Sequence, residues 1–245
     1  MSAEAGVFIT FEGGDGAGKS THIRFLAAAL EGQGREALCL REPGGTVVGE
    51  ALRDVVLDPA NEGLAPEAEL FIYEAARAQI VAEVIKPALA RGAVVLCDRF
   101  CDSTVAYQAY GRGLSREFVQ QANRFACQGV RPDRTVLMLA SEDPAVGLAR
   151  ASRGSAPDRM EGAGLEFHER VAHAFRLLET HAPDRVRVVR SAARKSDTAR
   201  AVFSAVADVL GWDAEDLPFD DAFFHGADRS NRAGKGRAAA AGKAL

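Results

Sequence analysis

Eight residues near the N-terminus, Gly13-Gly14-Asp15-Gly16-Ala17-Gly18-Lys19-Ser20, leave this chain of 245 residues few folds to choose from. They match the pattern G-x-x-x-x-G-K-[ST] in full, and that pattern has meaning only where a strand runs into it and a helix leaves it. Both flanks are present. Residues 6–12 (GVFITFE) read as a short, β-rich strand, and between Ser20 and Glu31 the apolar residues Ile23, Leu26, Ala27 and Leu30 recur at helical spacing. Glycines let backbone N–H groups curl around a phosphate oxyanion, and the start of the next helix adds its dipole. Lys19 is a point charge for β- and γ-phosphates, and the Ser20 hydroxyl is a ligand for Mg²⁺. The expected cradle for a nucleoside triphosphate is Gly13, Gly14, Asp15, Gly16, Ala17, Gly18, Lys19, Ser20 and Thr21. An ordinary glycine-rich turn explains the glycines but not the two flanks.

The rest of the chain alternates in the same way. Apolar runs at 37–40, 93–97 (AVVLC), 135–140 (TVLMLA) and 185–189 are separated by stretches of helical period at 50–57, 67–90, 116–127 and 165–179, and a last one covers 199–210. The long stretch at 67–90 is expected to break or kink near Pro87. Strands that are apolar throughout and alternate with helices predict an α/β fold of P-loop NTPase type: a parallel five-stranded sheet with helices on both faces. Sites in such folds lie at the carboxyl ends of strands, which points to the residues after Glu12, Leu40 and Cys97. One domain is expected over 1–212. From residue 213 the composition shifts, with five basic and no acidic residues from Arg229 onward. That segment, 213–245, reads as a flexible solubilising tail or as a weak anion- or nucleic-acid-binding arm.

Composition narrows the function further. Lys and Arg number 30 against 34 Asp and Glu, a net charge of −4, which argues against a protein that holds nucleic acid by bulk positive charge. No apolar run reaches membrane-spanning length, and no basic start followed by a long apolar stretch marks a secretory signal, so a cytoplasmic protein without a membrane partner is expected. The four cysteines form no C-x-x-C pair, which disfavours structural zinc, and Cys39 and Cys97 read as small core residues inside apolar runs. No N-K-x-D tetrapeptide follows the cradle, which disfavours a GTPase switch. Asp98 closes the third strand, where it can organise Mg²⁺ or cap the turn into a helix.

Three further segments are more selective than the cradle. The second strand runs into Arg41-Glu42-Pro43-Gly44-Gly45-Thr46. The long helix carries AELFIYEAARAQ over 68–79, and the third strand ends in DRFCDSTVAYQ over 98–108. With FEGGDGAGKST, and in order over about residues 6–212, these segments resemble the bacterial thymidylate kinase (dTMP kinase) family. The resemblance implies transfer of the ATP γ-phosphate to dTMP, giving dTDP in dTTP synthesis. It further implies Mg²⁺ held by Ser20 and Asp98, no stable nucleic-acid partner, and a homodimer.

The resemblance also distributes roles. Tyr73 and Arg77 lie four apart on one helix face, and in the family such a pair stacks on thymine and donates to a base carbonyl. The usual family residue at the first of these positions is Phe; core packing is the other reading of Tyr73. Arg99 is expected to grip the acceptor 5′-phosphate, with Arg53 as a second phosphate ligand or a solvated helix charge; the planar guanidinium suits both. Glu42 shapes the acceptor site, and Pro43-Gly44-Gly45 supplies a turn that admits the ligand. Asp15 points towards the acceptor sugar, and Tyr107 crowds the place of a 2′-hydroxyl. Ser103, Thr104 and Gln108 are expected to supply hydrogen bonds to the base, directly or through water. The Gly/Ser/Arg-rich stretch at 148–161 reads as a lid. Because the cradle holds no Arg, Arg150 and Arg153 are expected to bring charge to the transferring phosphoryl group. Arg159 is the alternative, or the partner of Asp158, and an idle surface loop is the other reading of the stretch. Two competing functions stand beside this one: a related P-loop kinase for another nucleotide or small metabolite, and a slow ATP-binding regulatory module.

Overall fold

The computed structural model describes residues 5–139, 145, 147, 157–192, 194–213 and 216–218. Five strands, β1 (Val7–Glu12), β2 (Ala37–Arg41), β3 (Val94–Asp98), β4 (Arg134–Leu139) and β5 (Val186–Arg190), form one sheet in the order β2-β3-β1-β4-β5. Every pairing is parallel; Phe8 stands opposite Val95, Phe11 opposite Asp98 and also Val136. The expected five-stranded parallel sheet is therefore present, with β1 at its centre and the cradle at the carboxyl end of that central strand.

Period-two alternation sends the strands' side chains to opposite faces. Ile9, Phe11, Val94, Leu96, Val136 and Met138 pack against Phe25, Leu26 and Leu30 of α1 (Lys19–Gly32), and on that face Val202, Phe203 and Val206 come from α8 (Lys195–Leu210). On the other face, Phe8, Val95 and Cys97 meet Ile80, Val81, Ile85 and Phe100. Further along it, Leu137 meets Phe167, Val171 and Phe175 of α7 (Leu165–His181). Helices thus cover both faces, and this is why the strands carry no polar alternation. Cys97 is fully buried as expected. Cys39 is exposed, which corrects the core expectation: β2 is the sheet's edge, and the alternate residues Leu38 and Leu40 face inward instead.

Helix α2 (Val47–Leu57) begins three residues before the expected start because Thr46 caps it, its hydroxyl accepting from Gly49 N–H at 2.9 Å. Helix α3 (Pro66–Ile80) runs into one wide π turn (Val81–Ile85) and then α4 (Lys86–Ala90). That wide turn is the interruption expected near Pro87, whose missing N–H and ring break the regular ladder. The short α5 (Cys101–Thr104) and the π stretch Val105–Gly111 that continues it were not expected as helix. Their β-branched and aromatic residues disfavour helix on propensity alone; packing against α7 and α6 (Arg116–Ala126) overrides it. Trp212 and Leu217 pack against the core, so ordered packing runs slightly past the expected boundary at 212, while 219–245 lie outside the described residues.

Candidate active site

The ends of β1, β2 and β3 open onto one cavity of about 460 Å³. Its floor is the loop between β1 and α1. Gly13 has φ +126, and a Cβ there would overlap the Met138 carbonyl oxygen, so the sharp turn out of β1 needs glycine. Lys19 is 6% exposed, and its ammonium donates to the carbonyls of Gly13 (3.1 Å) and Gly14 (3.0 Å), folded over the loop it must serve. Burial and the Arg99 charge draw its pKa down to about 8, against the pull of Asp98, Asp15 and Glu12. Gly16, Gly18, Lys19, Ser20 and Thr21 line the cavity, whereas Ala17 packs its methyl into the core. The Ser191 hydroxyl donates to the Ala17 carbonyl at 3.4 Å, which brings the loop after β5 beside the cradle.

Ser20 donates to Asp98 at 2.5 Å, so the hydroxyl and the strand-end carboxylate meet as a metal-binding role requires. Among the described residues no three or more His, Cys, Asp or Glu gather into a metal cage. One hydroxyl and one carboxylate still fit Mg²⁺, which keeps several waters and takes its remaining ligands from substrate phosphates.

The wall beside the cradle begins at Arg99. Its backbone is left-handed (φ 71), an arrangement that costs a non-glycine residue about 1 kcal/mol and is held only by its surroundings. The guanidinium donates to Asp15 (2.5 Å), the Gly13 carbonyl (3.1 Å) and Ser103 (3.3 Å), and lies 5.0 Å over the Tyr107 ring. The Tyr107 hydroxyl donates to the other Asp15 oxygen at 3.0 Å. Burial alone would raise the Asp15 carboxyl; the Arg99 and Lys19 charges and the Tyr107 hydroxyl hold it instead at about 2. Asp15 and Tyr107 are thus brought together, with Arg99 between cradle and acceptor wall.

Arg77 is 1% exposed and anchored by three residues. Nε and Nη2 donate to Glu42 (2.9 and 2.7 Å), and Nη1 donates to Glu74 (3.0 Å) and Asn123 (2.6 Å). Four of its N–H groups are engaged, and of the five a guanidinium carries one on Nη2 is left over. Burial lifts the Glu42 carboxyl to about 7, even against the neighbouring Arg77 charge. Tyr73 lines the cavity rather than the core, and its neighbour Phe71 is exposed. Arg53 also lines the cavity and donates to the Pro43 carbonyl at 2.8 Å, at the cis Glu42–Pro43 peptide. It is therefore not a solvated helix charge. Ser103, Thr104 and Gln108 line the wall, but Ser103 donates to Glu12 at 2.5 Å and Gln108 to Glu69 at 2.9 Å, so both are already oriented from behind.

Arg150 and Arg153 lie outside the described residues. Arg159 is not a free lid arginine. It is buried, donates to Glu69 (2.5 Å) and to the Val56 carbonyl (2.8 Å), and Asp158 turns instead to the N–H groups of Met160 and Glu161. Glu69 is among the residues that sequence reasoning missed: fully buried, it holds Gln108, Arg112 and Arg159 together. Glu12 is another, fully buried at the end of β1 and raised by burial and the nearby Asp102 to about 8. A carboxylate closing an otherwise apolar strand was the available signal for Glu12; no local pattern marks Glu69.

A family model described as thymidylate kinase matches residues 11–202. The thymidylate kinase of Solidesulfovibrio magneticus is 48% identical, over 83% of this chain and 100% of its own length. That of Trichlorobacter lovleyi is 44% identical, over 82% and 96%. The crystal structure of thymidylate kinase from Ehrlichia chaffeensis superimposes with a TM-score of 0.67 at 31% identity, covering 84% of this chain and 99% of that one.

Proposed function

The chain belongs to the thymidylate kinase family and phosphorylates dTMP to dTDP, and we propose that the cavity at the ends of β1, β2 and β3 is where an ATP γ-phosphate passes to that acceptor. One observation carries the reading: the P-loop cradle and a wall built for a nucleoside monophosphate share a single cavity, with Arg99 between them. A regulatory ATPase has no use for the second half.

The acceptor phosphate is largely ionised near pH 7, as expected for a second pKa of about 6, so its oxygen attacks without a strong base. Catalysis rests on positioning and on spreading charge. Lys19 releases the Gly13 and Gly14 carbonyls and takes up phosphate oxygens. Arg99 exchanges Asp15 for the acceptor phosphate, and Arg53 supplies a second contact. Arg77, immobilised by Glu42, Glu74 and Asn123, offers its remaining N–H to a thymine carbonyl while Tyr73 stacks on the ring. Tyr107, tied to Asp15, fills the space a 2′-hydroxyl would need. Ser20 and Asp98 would hold Mg²⁺, which would supply charge neutralisation to the donor phosphates.

Arg150 and Arg153 act as the lid cations. Supporting this, a Cβ at Gly147 would stand 2.5 Å from the Asp15 carbonyl, so the chain just before the lid runs against the cradle. The functional protein is a cytoplasmic homodimer, and exposed aromatics on α3 and α6 support it. Phe71 and Phe118 pair edge to face at 6.3 Å while 57% and 48% exposed, and Phe125 is 87% exposed.

An ADP-release assay run with dTMP, dUMP, dCMP, UMP and no acceptor tests the reaction. Release with dTMP far above all others is the expected result; equal release without any acceptor overturns the reading.

A further inference from the structure

The carboxylate of Glu12 stands directly beneath a site that gathers phosphates. Ionised, it would be badly placed, because a buried anion weakens the binding of every anionic ligand above it. Its contacts give the compensating reason. One oxygen accepts from the Phe100 backbone N–H at 2.8 Å, and the other accepts from the Ser103 hydroxyl at 2.5 Å. Both groups lie just after Arg99 in the chain. The Arg99 backbone N–H itself donates to the Phe11 carbonyl at 2.9 Å. The left-handed residue is therefore pinned at its own N–H and at the next one, both from the end of β1. Ser103, held by Glu12, in turn accepts from the Arg99 guanidinium at 3.3 Å.

We propose that Glu12 is a positioning residue for acceptor binding: it locks the Arg99 turn and the Ser103 hydroxyl so that the Arg99 guanidinium faces the acceptor phosphate. This rests on the reading of Arg99 as the acceptor-phosphate ligand. A neutral apolar residue at position 12 would leave the Phe100 N–H and the Ser103 hydroxyl buried without their acceptor, and the left-handed turn without its restraint. Glu12 touches no substrate in this account and acts only through Arg99.

The test is a double-mutant cycle on the full chain with Glu12→Gln and Arg99→Ala, reading KM for dTMP, KM for ATP and kcat below the unfolding temperature of each variant. Glu12→Gln keeps the shape but replaces one of the two accepting oxygens with an amide NH₂ that can only donate. It is expected to raise KM for dTMP about tenfold while KM for ATP moves less than about twofold. In the Arg99→Ala background it should add less than about twofold, because its effect runs through the missing side chain. Equal rises in both KM values, or an effect that adds in full to Arg99→Ala, overturn the proposal and leave Glu12 a structural residue. If Arg99→Ala itself leaves KM for dTMP unchanged, the Arg99 reading fails, and the proposal with it. Should Glu12→Gln not fold, Glu12→Asp, which draws the carboxyl back from both donors, takes its place in the same cycle and is judged by the same two criteria.

Discussion

Lys19 and Asp15 lie four residues apart in one loop, and their charges act in opposite directions on a triphosphate. Replacing Lys19 with Ala removes the cation that reaches the transferring group. Turnover should fall by about two or more orders of magnitude with the far-UV circular dichroism spectrum unchanged; near-normal turnover would refute the assignment. Asp15 makes a pH prediction. Its folded pKa, about 2, lies below the ordinary aspartate value of 3.8. Its ionised form therefore stabilises the fold above about pH 4, and that contribution is lost as pH falls through 2, amounting to about 2 kcal/mol in full. Denaturant titrations of the Asp15→Asn variant and the parent between pH 6 and pH 2 should converge at the acid end. Curves that stay parallel would show that Arg99 does not hold the carboxylate. Both residues stand in a motif visible in the sequence, yet only the fold brings Arg99, which is 84 positions away, against Asp15.

At the scale of elements, the wall opposite the cradle is held by Glu69 on α3. It reaches Gln108 in the π stretch, Arg112 just beyond it and Arg159 at the end of the expected lid. The Arg159 backbone N–H also donates to the Leu57 carbonyl at 3.0 Å, so the lid's carboxyl end is tied to α2 and α3 together. Replacing Glu69 with Ala would leave a nearly buried guanidinium unpaired. That should cost about 3 kcal/mol, read as a lower midpoint in urea, and KM for dTMP should rise because Gln108 loses its anchor. A midpoint unchanged from the parent would show that Arg112 and Arg159 find other partners. Periodicity located α3 and α6 within a few residues. It missed α5 and the π stretch because 101–111 is helical only through its tertiary neighbours.

For the whole molecule, the exposed Phe71, Phe118 and Phe125 make a prediction about assembly. The parent chain of 26.0 kDa should sediment at twice its mass. The double variant Phe71→Ser, Phe118→Ser should shift towards the monomer while its secondary structure is kept. A parent that sediments as a monomer at micromolar concentration would remove the homodimer from the reading. No helix among the described residues is long and apolar enough to cross a membrane. Among the described residues, helices fill both faces of the sheet, and the cavity opens at the edge formed by the strand ends.

The order of the strands and of most helices and the P-loop motif were legible in the chain itself, because each is set by contacts within a few residues or by a local run of residue types. The motif between β1 and α1 needs only its neighbours to be understood, and DRFCDSTVAYQ carries its residue types wherever it lies. Which buried charges serve which partners was decided only on folding. Arg159, open as an alternative lid cation or a partner of Asp158, anchors Glu69 instead, Cys39 came to the surface at an edge strand, Arg77 met Glu42 across 35 positions, and Glu12 found the Arg99 turn 87 positions on. A buried ion pair costs too much desolvation to form until packing brings both partners together, so no local pattern announces it.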